Sequence, residues 1–165
     1  MRKLFIVLMF LLSCGVCNAH AVTDMSIGKF AHRFADAIGP ASNYEIKVSK
    51  IKYFAKLNGQ DVYKMFFTSN VEARMYICVK DQEILHVLFI NDLYNEEATR
   101  QTAINFTTAM KLLGLTNAND LASQVVQKND GRIYVFSNQE NRTLLIAADN
   151  DEKELKFHIV GDDYI

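Results

Sequence analysis

Between Tyr44 and Ile90, four runs of strand-forming residues are joined by three short polar turns, at Asn58-Gly59, Ser69-Asn70 and Asp81-Gln82. This pattern constrains the chain more than anything else in it. Connections of two to five residues can join only antiparallel neighbours, because a parallel pair needs a crossover of a dozen residues or more. Asn58-Gly59 is the strongest of the three signals, since both residues tolerate the positive φ of a tight hairpin turn. The runs cover residues 44–57, 62–68, 73–80 and 84–90, and predict an antiparallel meander. The first run changes phase. Ile46 and Val48 alternate in one register, while Ile51, Tyr53, Ala55 and Leu57 occupy the other, which asks for a β-bulge near Ser49-Lys50.

Helical periodicity flanks the meander. Ile27, Phe30, Phe34 and Ile38 recur every three or four positions, with Lys29, Arg33 and Asp36 on the opposite side. A helix over residues 24–38 follows, capped by Thr23 or Asp24 and stopped by Gly39-Pro40. A second helix is predicted from Asn95, its cap, to about Leu113, ending at Gly114. Residues 118–128 read as a shorter helix, with Leu121 and Val125 on one face. Strands are then predicted over 132–137, 142–148 and 155–160.

Ser69-Asn-Val-Glu-Ala-Arg74 and Ser137-Asn-Gln-Glu-Asn-Arg142 match at four of six positions. The strands before them correspond, Val62-Tyr63 with Ile133-Tyr134. Downstream, Leu85-His86-Val87 aligns with Phe157-His158-Ile159. The fold class expected is therefore α+β: antiparallel sheet with helices, as a degenerate tandem repeat of a helix-plus-β-meander unit. The sub-repeats would be 22–94 and 95–165, with an extra long strand in the first. In architecture only, this is similar to the secreted β-lactamase inhibitor proteins, and no motif assigns the chain to a family.

The N-terminus speaks to compartment. Arg2 and Lys3 precede an apolar run over residues 4–12, and Ala19-His20-Ala21 is a cleavage pattern, so residues 1–21 read as a signal peptide. The run is too short to span a bilayer, which takes roughly 20 residues. The expectation is an exported chain, periplasmic or secreted, with a single domain over 22–165. Leu11-Leu12-Ser13-Cys14 offers an alternative, a lipobox whose Cys14 would be lipidated. Cleavage after Ala21 removes Cys14 and Cys17, so only Cys78 of the three cysteines remains and no disulfide framework is possible. The leader also carries two of the 18 cationic residues, which leaves the mature chain more acidic than the −1 of the whole sequence. Nucleic acid is therefore not expected as a partner, and a membrane only through lipidation at Cys14. Asn105 and Asn141 lie in N-x-T sequons, the first inside a predicted helix.

No P-loop, dinucleotide fingerprint, G-x-S-x-G or zinc-site spacing occurs. Cys78 and His86 form a nucleophile–base pair only if a three-residue turn at Asp81-Gln82 sets them opposite one another. A two-residue turn sets Cys78 against Leu85. His86 and His158, equivalent in the repeat, could approach across a pseudo-two-fold axis. Asp149-Asn150-Asp151-Glu152 begins like a calcium loop, but Lys153 stands where a ligand is needed, so a solvated hairpin tip is expected. No cofactor and no metal are expected.

One feature remains. If Ile51, Tyr53, Ala55, Val62, Phe66, Ala73, Met75 and Ile77 share a core face, the alternate positions are aromatic with a basic fringe: Phe54, Tyr63, Met65, Phe67, Tyr76 and Cys78 among Lys52, Arg74 and Lys80. Aromatic patches with charged rims mark interaction surfaces, unless helices or the second repeat cover that face. The reading is an exported binding module acting through a β-sheet surface. Tyr63, Phe67, Tyr76, Lys52 and Arg74 are its binding residues, for a protein or a small apolar ligand. The runner-up is an envelope enzyme using Cys78, His86 and His158, and a lipid-anchored assembly factor is the third reading.

Overall fold

The computed structural model describes residues 21–68, 73–115, 124–127, 133–139 and 142–161. The first helix, α1, is Ile27–Ala41 and is followed by β1 (Val48–Leu57), β2 (Gln60–Phe67), β3 (Arg74–Lys80) and β4 (Glu83–Asp92). A second helix, α2 (Glu96–Leu112), precedes β5 (Gln124–Gln127), β6 (Ile133–Gln139), β7 (Arg142–Asp149) and β8 (Glu154–Gly161). The strands form one eight-stranded sheet in the order β1-β2-β3-β4-β8-β7-β6-β5. Every described neighbouring pair is antiparallel. The fold is α+β. Its two four-strand meanders meet through their last strands, β4 and β8.

The helices start and stop for local reasons. Ser26, not Thr23 or Asp24, caps α1, its hydroxyl accepting from Lys29 N at 3.4 Å. Thr23 instead bridges to Ile84. Gly39-Pro40 does not end the helix, which runs to Ala41. A proline there sacrifices little, because the bond it forgoes is to the carbonyl of exposed Asp36, and the last turn is closed instead by the Ser42 hydroxyl and amide, both donating to Ile38 O. Asn43 and Tyr44 then turn the chain with positive φ, so β1 begins at Val48 rather than Tyr44. For α2 the expectation holds. Asn95 accepts from Ala98 N at 2.9 Å, and Gly114 leaves the helix at φ +79.

Residues directly opposite in a ladder share a face, so the register sorts the side chains. Ile51, Met65, Met75, Phe89, Phe157 and Ile146 form one such row, and Tyr53, Tyr63, Ile77, Val87, Ile159 and Leu144 another. Both rows lie on the face covered by the helices, where Phe30, Phe34, Ile38, Phe106 and Met110 complete the main core. The other face carries a second apolar cluster of Val62, Tyr76, Cys78, Leu88 and Ile90, with Phe54 and Leu57 against it.

Several expectations need correction. Met65 and Tyr63 belong to the helix-covered face, and Val62 to the other, the reverse of the division read from alternation. The cause is a second bulge in β1, between Tyr53 and Ala55, beyond the anticipated one between Val48 and Lys50. One extra residue flips every side chain after it. Within 118–128, residues 124–127 are a strand and not a helix, pairing with β6. Consecutive β-branched Val125 and Val126 suit that role. Residues 118–123 lie outside the described set. The matched hexapeptides span corresponding connections, β2 to β3 and β6 to β7, with Arg74 and Arg142 each opening the second strand. Ser137, Asn138 and Gln139 are paired strand residues of β6, whereas Thr68 and Ala73 lie outside the strands. Residues 69–72 and 140–141 are outside the described set. Asn105 is buried within α2, which closes its sequon in the folded chain.

Candidate functional site

The five residues singled out from sequence do not form one patch. Tyr63 and Phe67 lie on the helix-covered face: Tyr63 meets Tyr53 edge-on at 5.9 Å, and Phe67 packs against Phe34 at 6.3 Å. Lys52, Tyr76 and Arg74 lie on the opposite face. Tyr76 is buried there, its ring 5.4 Å from Phe54. Arg74 is drawn into an ion pair with Glu154 at 2.8 Å that ties β3 to the second meander. Lys52 alone among the five is fully exposed.

The register gathers other residues around Lys52 instead. Lys52 stands directly opposite Lys64, and Lys64 opposite Tyr76, while Lys50 stands opposite Phe66. Lys50 Nζ sits 5.2 Å from the Phe66 ring centroid, and Lys64 Nζ 5.1 Å from that ring and 5.7 Å from Tyr76. Two ammonium groups thus converge on one aromatic ring beside a third. Such contacts are individually worth roughly 0.5–1 kcal/mol at exposed sites. Like charges set directly across a ladder cost a comparable amount. Among the described residues no carboxylate pairs with Lys50 or Lys52. Lys50 and Lys64 were not singled out from sequence, and Phe66, expected on the core face, instead shares the opposite face with Lys50 and Lys52. What hid the cluster was the second bulge, which brings Lys64 opposite Lys52.

The histidine constellation is resolved differently. Asp81 and Gln82 form a two-residue turn with φ 51 and 71, and a bulge between Cys78 and Val79 then sets Cys78 opposite His86. Neither simple register anticipated this combination. Val87 pairs with Ile159, so His86 and His158 stand diagonally across the seam between β4 and β8. His86 Nε2 lies 3.0 Å from His158 Nδ1, with ring planes 14° apart. Burial lowers the His86 pKa to about 3. His158 is held well below the usual imidazole range, first by burial, then by His86 and Lys156. The arrangement holds one shared proton between two neutral rings. Cys78 is 0% exposed, so a substrate has no approach to its thiol in this conformation.

Beside the seam, Lys156 is only 2% exposed yet paired, at 2.7 Å with Glu152 and 3.4 Å with Glu154. Glu152, Glu154 and Arg74 line a cleft of about 320 Å³ that Asp92, Asn95, Ala98 and Lys153 share, with Lys156 linking the two glutamates. The acidic turn is a structural cap: Asp149 Oδ1 accepts from the amides of Asp151 and Glu152, both at 3.1 Å. Among the described residues no group of three His, Cys, Asp or Glu is placed to hold a metal ion. Comparison with known proteins returns no match: no family model, no curated protein and no solved structure resembles this chain closely enough to report.

Proposed function

We propose that the protein is an exported binding module, periplasmic or secreted, that recognises an acidic protein partner through the lysine-bearing face of β1 and β2. The observation that carries this reading is the cluster of Lys50, Lys52 and Lys64 around the Phe66 and Tyr76 rings. Among the described residues Lys50 and Lys52 pair with no carboxylate, and an anionic surface laid over them would gain their attraction. The half-buried Phe66 ring would supply contact area at low rotamer cost. Lys52 keeps the role proposed for it, whereas Tyr76 is buried and acts from beneath, packing against Phe54. Arg74 acts at the rim through Glu154, and Tyr63 and Phe67 support the opposite side of the same strands. A small apolar ligand fits less well, because the apolar cluster on this face is buried within the sheet. The enzyme alternative is disfavoured by the burial of Cys78, His86 and His158.

Export, with a signal peptide over residues 1–21 and one domain over 22–165, belongs to the same proposal. Among the described residues no helix is long and apolar enough to cross a membrane. Lipidation at Cys14 remains the alternative, which would tether the module to an envelope membrane. We also infer that the two meanders descend from one duplicated unit. Supporting this are the order of one helix then four strands in each half, and the juncture through the final strand of each. The paired Val87 and Ile159, flanked by His86 and His158, would lie on the two-fold axis of such a pair.

The test is comparative capture from the native envelope fraction with the wild-type protein and a Lys50→Glu/Lys52→Glu variant. The reading expects an acidic protein retained by the first and lost by the second, at unchanged melting temperature. An identical set of retained proteins would sink it.

A further inference from the structure

The outer edge of the sheet bears on how such a partner docks. Among the described strands β1 is outermost and pairs only with β2. Its two bulges bracket a regular segment, Lys50-Ile51-Lys52-Tyr53, whose partners on β2 run in unbroken register from Phe66 to Tyr63. Within it, Lys50 and Lys52 project to the basic face while Ile51 and Tyr53 project to the helix-covered side. Tyr53 is 57% exposed, one of the few large apolar residues so exposed. Lysines and bulges on an edge strand discourage self-association. That role accounts for the lysines, but it does not require an exposed tyrosine at the edge or a lysine directly opposite Lys64.

We propose that β1 is the docking edge for an extended acidic segment of the partner, added as a further strand over residues 50–53. Main-chain hydrogen bonds would supply affinity, and side chains in alternation would supply specificity. The rows of the sheet define the pattern. A residue opposite Lys50 or Lys52 extends the lysine row and is Asp or Glu. A residue opposite Ile51 extends the row of Met65 and Met75, one opposite Tyr53 extends the row of Tyr63 and Ile77, and both are apolar or aromatic. The partner sequence is thus acidic–apolar–acidic–apolar. A second copy of this chain is a poor occupant, because its own lysines would face these.

This inference rests on the acidic-partner reading, and the experiment separates the two. The probe is a short peptide alternating Glu and Val, with two isomers N-methylated on one or the other alternate set of backbone amides, and polyglutamate as the irregular polyanion. Affinity is measured by calorimetry, and amide exchange is followed over β1. Strand addition expects slowed exchange in β1 with the parent peptide. It also expects the two isomers to differ by about tenfold or more, since only one set of amides faces the sheet. Lys50→Glu/Lys52→Glu should weaken the parent peptide by about tenfold. Isomers of equal affinity, or binding that leaves β1 exchange unaltered, would overturn strand addition while the basic face stands. No binding of either peptide or polyglutamate at low salt would overturn both. Protection of β1 by dimerisation without peptide would assign the edge to a second copy, against the proposal.

Discussion

His86 Nε2 and His158 Nδ1 share a hydrogen bond of 3.0 Å at the seam where the two meanders join. The bond links residues 72 positions apart in sequence and lies entirely within the sheet. Its proton accounting governs how the fold responds to acid.

Both imidazoles are neutral when folded, with His86 at about 3 and His158 likewise depressed. In the unfolded chain each returns to about 6.5. Between these values the unfolded chain binds more protons, so stability is fully present above about pH 6.5 and is lost as pH falls toward 3. For His86 alone the loss between pH 7.5 and pH 5 is about 2 kcal/mol, and His158 adds to it in the same direction. Urea unfolding at the two pH values measures it. A His86→Leu/His158→Leu variant should flatten the profile, and a flat wild-type profile would contradict the buried pair.

Tyr76 and Tyr63 should separate in stability. Tyr76→Ala empties a buried site against Phe54 and should cost about 3–5 kcal/mol. Tyr63→Ala, at the half-buried margin of the main core, should cost about 1–2 kcal/mol. Thermal melts of the two variants check the order. An unchanged melting temperature for Tyr76→Ala would place its ring in solvent instead.

Cys78 should be inert in the native protein. Its side chain is buried between Val62 and His86 in the ladders, so alkylation by iodoacetamide should follow global unfolding. Complete labelling in denaturant and almost none without it is the expected result. Fast native labelling would restore the enzyme reading.

Mass spectrometry of the exported protein should find Val22 at the N-terminus. That end is tied into the fold: Val22 N donates to Ile84 O at 2.7 Å, and Arg142 Nε donates to Val22 O at 2.7 Å. A diacylated or triacylated Cys14 would establish the lipoprotein form, and an intact Met1 would remove export.

Local chemistry explains which features the sequence disclosed. Asn58-Gly59, Asn95 and Gly114 act through their own backbone preferences, and each took the role expected of it. The correspondence of His86 with His158 also anticipated their meeting. Features set by distant partners were hidden. The bulge at Phe54 depends on how β2 fits β1, and it moved Tyr63, Met65 and Val62 across the sheet. Val125 and Val126 fit either helical or extended periodicity over so few residues, and pairing with β6 decided the matter. The lysine cluster followed from that same bulge, so alternation along β1 alone could not reveal it.

The neighbour of β4 across the seam is β8, the last of the described strands. Residues 84 to 91 of β4 are all buried in the finished sheet, yet the first meander can form before β8 has been made. Until β8 arrives, an apolar edge with unpaired amides stands open to any other chain. Such non-local closure is slow compared with hairpin formation, and the waiting intermediate is prone to aggregate. Yield on refolding should therefore fall steeply with protein concentration. Truncations that remove β8 should be recovered mainly as insoluble material.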